Sequence, residues 1–390
     1  MKNIYKLLLI NLLIVISSSY SFSQLKNDIL KSLQDDINNN NFGNEFWISI
    51  PPPLSDNLPN SYNTIRIYAF PVNDSKIKLT VANKNYIEEK NAKAGETVEF
   101  ILQPSVAQPY LKSGESPVIT SDIYQRAAIQ LESESPISVY VLVLYNNSSE
   151  GFLAYPLQHL GNDYIISSYN DPSVYYPLFN SLPAITTIVS PFDGNEVTFT
   201  MGGNNKSLTS DGLKPYEEIK RILNKGDVWV FSSKGKEADL SGSSIKSTMP
   251  VSVISGNQYA NIPLNNKNAN YLVDMETPRK TWGRTFLTGR IYNRKFSPVL
   301  RVYAKEDNTI VLVNGNVVGE IIKSNGIIDD AYLEIRPSDL ASGDLYAITA
   351  NKPINVVQYN TGTEEDGLPA PLGSPFKIVL TPYEQFQKTI

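Results

Sequence analysis

Over most of this chain apolar and polar residues alternate with period two, in short runs bounded by Asn, Asp, Gly, Ser and Pro. Ile65-Arg66-Ile67-Tyr68-Ala69-Phe70 and Lys76-Ile77-Lys78-Leu79-Thr80-Val81 are two such runs, separated by Pro71 to Ser75. Alternation of this kind places one set of side chains on a core face and the other on a second face, which predicts strands. The pair returns as Thr186-Thr187-Ile188-Val189 with Glu196-Val197-Thr198-Phe199-Thr200, and again as Val299-Leu300-Arg301-Val302-Tyr303 with Thr309-Ile310-Val311-Leu312-Val313. Between the runs lie Asn73-Asp74, Asp193-Gly194-Asn195 and Glu306-Asp307-Asn308, residues that tolerate turn backbone and hydrogen-bond locally. Each pair therefore reads as a hairpin.

Two further landmarks keep step with these pairs. Gly43-Asn44-Glu45-Phe46-Trp47 returns as Gly161-Asn162-Asp163-Tyr164-Ile165 and more loosely as Gly283-Arg284-Thr285-Phe286-Leu287. Pro136-Ile137-Ser138-Val139, Pro250-Val251-Ser252-Val253 and Pro353-Ile354-Asn355-Val356 each open an alternating apolar strand. The period is roughly 105–120 residues, long enough for one sandwich unit to bury its own core. The prediction is an all-β protein of three tandem β-sandwich-like repeat units, over 42–160, 161–281 and 282–390. Pro215 to Gly226 has the punctuation of a short helix, but its counterpart around Tyr86 to Phe100 has a Gly that opens a strand, so an extended conformation is expected. Pro382 to Ile390 matches the link Pro278 to Phe286, as if a fourth copy were beginning, which predicts a longer parent sequence.

The first residues break the alternation. Lys2 and Lys6 precede the apolar run Leu7 to Ile16, and Ser21 and Ser23 sit where a signal peptidase requires small residues before Gln24. Residues 1–23 are predicted to be a secretory signal peptide, with 24–41 a linker whose Asn38 to Asn41 run has no apolar face to bury. The remainder is then secreted or held at a cell surface, with no further membrane span. Export permits disulfides, yet there is no cysteine, so stability comes from cores and sheets, and thiolate metal sites are excluded. Removing the signal takes two positive charges and no acid from a formal charge of −5, and there is no basic cluster. Nucleic acid and anionic membrane surfaces are not expected partners. The abundance of Asn, Lys and Ile suggests an AT-rich bacterial genome.

Candidate chemistry is sparse. The single histidine, His159, lies in the link Pro156 to Gly161 with no nucleophile motif around it, and a histidine metal cluster is impossible. Glu88-Glu89, Glu217-Glu218 and Asp329-Asp330 are adjacent acids, which on strands face opposite sides and mark solvated positions. A carboxylate pair assembled by folding would support a glycoside hydrolase. The Asp and Asn turns could be considered for calcium, but they lack the spaced oxygen ligands of an EF-hand loop. No cofactor is expected. What remains is aromatic: 23 tyrosines, many of them in turn-rich stretches, among which Tyr175, Tyr176 and Tyr259 are the candidate ligand-binding residues. Tyrosine gives rigid amphipathic contact area at low entropic cost, although it is also a good strand residue.

The stretch Asp239-Leu240-Ser241-Gly242-Ser243 through Met249-Pro250-Val251-Ser252-Val253 to Asn257, with Tyr271 to Pro278 and Thr281-Trp282-Gly283, resembles the amino-terminal domain of the IgGFc-binding protein family. Phe46-Trp47 and Pro136 to Tyr140 extend the likeness over most of the chain. The resemblance implies a non-enzymatic binding or adhesion module with an extracellular protein or glycan ligand, immunoglobulin among them. The family pattern has cysteines around the segment equivalent to Asn257 to Tyr271, where this chain has none. The alternative reading is a structural spacer in a larger surface protein.

Overall fold

In the computed structural model the described residues are 41–54, 63–108, 121–145, 148–202, 206–322, 332–367 and 373–386. The predicted signal peptide lies outside them, as does all but residue 41 of the linker. The chain is all-β, in three repeated units. The first is built from β1 (Gly43–Ile48), β2 (Thr64–Pro71), β3 (Ser75–Val81), β4 (Tyr86–Ala92) and β5 (Val98–Leu102), then, after β6 (Asp122–Tyr124), from β7 (Ile129–Tyr145) and β8 (Ser148–Ala154). The second contains β9 (Gly161–Ile165), β10 (Ala184–Val189), β11 (Asn195–Thr200), β12 (Leu208–Thr209), β13 (Glu218–Leu223), β14 (Val228–Lys234), β15 (Ser244–Asn261) and β16 (Ala269–Met275). The third contains β17 (Gly283–Gly289), β18 (Val299–Ala304), β19 (Thr309–Val313), β20 (Asn316–Ile321), β21 (Tyr332–Ile335), β22 (Leu345–Asn360) and β23 (Phe376–Val379).

Each unit is organised by one strand of 16 to 18 residues that serves both layers of its sandwich. The first half of β7 pairs with β1 and β3, and its second half pairs with β2 and β8. The halves of β15 and of β22 divide their partners in the same way. The switch falls at Pro136, Pro250 and Pro353. The proline landmark thus marks the middle of one continuous strand, not its beginning. A residue without an N–H can sit where a strand changes ladders without orphaning a donor.

This arrangement corrects the hairpin expectation. β2 and β3 do not pair with each other; they flank opposite halves of β7, and the Asp-bearing turn between them crosses from one layer to the other. The same holds for β10 with β11 and for β18 with β19. Two alternating runs joined by a short turn look alike in sequence whether they pair or face each other across a core. The segment expected to be extended near Pro215 forms β13, paired with β11 along its whole length.

The units interlock. β6, encoded within the first unit, adds to the edge strand β14 of the second. Apolar cores fill each sandwich. A further cluster joins units 1 and 2 through Trp47, Ile185, Val189 and Val230, and another joins units 2 and 3 through Leu272, Trp282, Tyr303 and Tyr359. Burying one large apolar side chain stabilises by about 1.5–3 kcal/mol, so each junction contributes on the scale of a domain's net stability of about 5–15 kcal/mol.

The links act as latches. Pro156, Pro278 and Pro382, each followed by a 3₁₀ turn, pack on Gly43, Gly161 and Gly283, the opening glycines of the units they leave. A Cβ on those glycines would lie 2.3, 2.5 and 2.3 Å from the proline Cβ, so no other residue fits without displacement. Pro382 to Phe386 is therefore an integral part of the third unit.

Candidate binding surface

Two of the candidate tyrosines are brought together. The rings of Tyr176 and Tyr259 meet edge to face with centroids 5.6 Å apart. Tyr176 and Asn261 are hydrogen-bonded, with Asn261 Nδ2 2.9 Å from the phenol oxygen. Burial pushes the Tyr259 phenol up to about 12, with the neighbouring Tyr176 adding to it. Tyr175 stands beside this pair, at the end of the 3₁₀ turn Pro172–Tyr175, and is 51% exposed. The loop continues through Leu178, which is 96% exposed and the most exposed apolar side chain among the described residues, while Val174 is 43% exposed.

An apolar tip of this kind would collapse if its base were loose, but the base is fixed. The Asp171 side chain is buried and accepts hydrogen bonds from Ser173 N (2.8 Å), Leu182 N (2.8 Å) and Ser181 Oγ (2.6 Å), tying the two ends of the loop together. Its backbone N–H donates to Ala238 O at 2.9 Å. The adjacent β15–β16 hairpin is held by asparagines. Asn257 takes the N–H of Tyr169 and donates to its carbonyl, both at 2.7 Å. Asn261 donates to Asn266 O, and Asn268 accepts from Glu364 N at 2.9 Å, which anchors the hairpin tip to unit 3. Tyr292, also among the loop tyrosines, is 89% exposed but lies on unit 3, whereas Tyr62 and Tyr110 are outside the described residues.

The strongest electrostatics lie elsewhere, inside the junctions. Arg301 on β18 is 1% exposed. Its guanidinium donates to Ser168 O, Asp239 Oδ2, Ser241 Oγ, Asn170 Oδ1 and Glu334 Oε2 at 2.7–2.9 Å and lies 4.2 Å from the Tyr169 ring centroid. Burial acts to raise the Asp239 carboxyl, but Arg301 and the hydrogen bonds from Ser168 and Ser241 outweigh it and hold the group below its usual range. Lys377 on β23 has no exposed side-chain surface and donates to Ser167 O (2.7 Å), Ser255 O (3.1 Å), Ser255 Oγ (3.0 Å) and Glu276 Oε1 (3.0 Å). Asn270 completes the meeting point by donating to Ser149 O of unit 1 at 3.0 Å and Pro375 O of unit 3 at 2.9 Å. Every polar atom of the Arg301 guanidinium is engaged, and Arg301, Lys377 and Asn270 act as fasteners between units.

The remaining candidates are ordinary surface features. His159 is half-buried in the first latch. Glu89 pairs with Lys76 at 2.6 Å and Glu88 with Lys90 at 3.1 Å, as expected of neighbours on a strand. The turn aspartates bond to nearby backbone: Asp74 accepts from Ala94 N and Asp193 from Lys225 N, both at 3.0 Å. Among the described residues no group of three acids or histidines is placed to hold a metal, and no helix is long and apolar enough to cross a membrane.

No solved structure matches the chain. Human IgGFc-binding protein is 26% identical over 254 residues, which is 64% of this chain and 4% of that much longer protein. The model of the family described as IgGFc binding protein matches residues 150–390, from β8 through the whole of units 2 and 3. That match takes in the greater part of the sequence, and it contains Asp239, Glu276, Arg301 and Lys377, the residues that fasten the junctions: the chain belongs to the IgGFc-binding protein family.

Proposed function

We propose that this chain is an exported, non-enzymatic binding module that captures an extracellular protein on the aromatic face of unit 2. The observation that carries the reading is the loop from Asp171 to Leu182, pinned by a buried carboxylate yet presenting Val174, Tyr175 and Leu178 to solvent beside the Tyr176–Tyr259 pair. A preorganised base lowers the entropy lost on binding, and exposed aromatic and aliphatic anchors supply the desolvation that drives it. The human relative is named for binding the Fc part of immunoglobulin G, so immunoglobulin Fc is the first ligand to test. An array of mucins and glycans covers the remaining extracellular ligands.

The test is surface plasmon resonance of the mature chain over immobilised Fc and the array, with Tyr175→Ala and Leu178→Asp as variants. Losing a central anchor weakens binding by about 2 kcal/mol or more, about thirtyfold in Kd, and an exposed tip residue leaves thermal stability unchanged. Saturable binding insensitive to both variants would remove the aromatic face from the reading. A folded chain silent over the whole array would favour the spacer role, for which the apolar junctions between units are the supporting observation.

A further inference from the structure

We propose that the cleft at the junction of units 1 and 2 binds an acidic saccharide, a sugar ring carrying a carboxylate. The cleft has a volume of about 450 Å³, and its charged and aromatic lining is Trp47 and Arg126 from the first unit and Asp193, Lys225 and Asp227 from the second, with Thr80 and Asn224 beside them. That volume lies within the range of about 300–1,000 Å³ typical of small-ligand sites. It is separate from the aromatic face, and its occupancy does not depend on that reading.

The walls are fixed by the junction itself. Arg126 adopts the left-handed region, at φ 52°, which non-glycine residues populate sparsely. It is held there from both units: its N–H donates to Asp227 Oδ1 and its carbonyl accepts from Asn83 N, each at 3.0 Å. The next turn is closed by Ala128 N donating to Gly226 O at 3.0 Å, and the facing turn by Lys225 N donating to Asp193 Oδ1 at 3.0 Å. The bonds of Arg126 N and Ala128 N cross the junction and the other two brace each unit, so side chains provide the chemistry of the cleft.

Those side chains are short of partners. Among the described residues neither the Arg126 guanidinium nor the Lys225 ammonium has an ion-pair partner, and the ammonium lies 5.4 Å from the Trp47 ring centroid. Thr80 Oγ1 is buried with no hydrogen-bond partner, an arrangement that costs free energy unless something else satisfies it. Asn224 uses its carbonyl oxygen to accept from Gly194 N at 3.1 Å, which leaves its amide N–H groups to donate. Two cations suit a carboxylate, and an amide and a hydroxyl suit ring hydroxyls. The Asp227 and Asp193 carboxylates in the same lining are engaged by backbone N–H groups, those of Arg126 and Asn224 and that of Lys225, and form no ion pair with either cation.

The experiment is isothermal titration of the mature chain with sodium glucuronate and sodium N-acetylneuraminate, alongside glucose as a neutral ring and sodium sulfate as a bare anion. Saturable heat is expected from at least one acidic sugar, with glucose and sulfate binding about tenfold more weakly or not at all, since each lacks one half of the complementary set. Arg126→Gly retains the left-handed backbone while removing the guanidinium, and Lys225→Ala removes the ammonium. Each is expected to weaken the acidic sugar about tenfold with an unchanged melting temperature. No saturable heat from either acidic sugar, glucose matching glucuronate, or sulfate matching both would overturn the proposal. Arg126→Gly leaves Tyr175 and Leu178 untouched, so protein capture at the aromatic face stands or falls separately.

Discussion

Replacing Lys377 with methionine tests whether the meeting point of the three units depends on one buried ion pair. The ammonium is the counter-charge for Glu276 and the donor to two unit 2 carbonyls, those of Ser167 and Ser255. Methionine fills much of the same space but leaves Glu276, also with no exposed side-chain surface, as an uncompensated charge. Hydrogen bonds from Ser167 N (2.9 Å), Ser167 Oγ (2.6 Å) and Ser255 Oγ remain on Oε1 of that carboxylate, while Oε2 has no partner. Breaking a buried pair from one side costs about 3–5 kcal/mol, a large share of a domain's net stability. The double variant Lys377→Met with Glu276→Gln removes both charges and should recover about 1–3 kcal/mol, because the desolvation penalty of the orphaned acid disappears. Urea titration followed by tryptophan emission reads this directly, with Trp47 and Trp282 each part of an inter-unit cluster. A single variant within about 0.5 kcal/mol of the parent, or a double variant no more stable than the single, would refute the assignment.

Three further outcomes are expected. Asp274, crowded among strands of all three units, has its carboxyl pushed up to about 7 by desolvation, against Lys377 and the N–H groups of Val379 and Met275. The native state then holds a proton that the unfolded chain has released, so stability is greatest below about pH 4 as far as this group is concerned and is lost as pH rises to about 7. Asp274→Asn should flatten that slope in urea titrations across the window, and a variant profile parallel to the parent would count against it. Gly161→Val places a side chain where even a Cβ would sit 2.5 Å from Pro278; a loss of about 1–3 kcal/mol is expected from calorimetry, and an unchanged melting temperature would contradict the latch. Arg301→Met should destabilise by about 3–5 kcal/mol through the stranded Asp239, whereas Arg66→Met, at the matching position of unit 1, should cost no more than about 1 kcal/mol.

That last comparison shows what the sequence can and cannot reveal. Ile65-Arg66-Ile67-Tyr68-Ala69 and Leu300-Arg301-Val302-Tyr303-Ala304 have the same pattern, and both arginines pair with a glutamate on the neighbouring strand, at 2.7 and 2.9 Å. The side chain of Arg66 is 36% exposed and that of Arg301 is 2% exposed. The difference lies entirely in whether another unit packs on that face, which local alternation does not encode. The repeat, the strands, the layered units and the extended segment at β13 were legible because they depend on period and turn chemistry. The ladder switch at the prolines and the crossing of turns between layers were not, since both depend on a partner strand some 35–60 residues away. Of the proposed binding surface, Tyr175, Tyr176 and Tyr259 were singled out as turn-region aromatics, whereas Leu178 and Asp171 carried no signal in the sequence. The family-like residues Asp239, Ser241 and Glu276 carried a signal too, but it marks architecture and not a ligand.

The sharing of cores has a consequence for how the chain is made. The core of the first unit includes Tyr271, Val273 and Met275, which belong to β16 of the second. Its edge is likewise not self-contained, since β6 is laid down against β14. During synthesis the leading part of the chain must therefore wait, incompletely packed, until more than a hundred further residues have emerged. Successive units cannot fold one by one as beads do, and a cut between them would release neither in finished form. Such a chain folds as a whole, once the strands of all three units are available to one another.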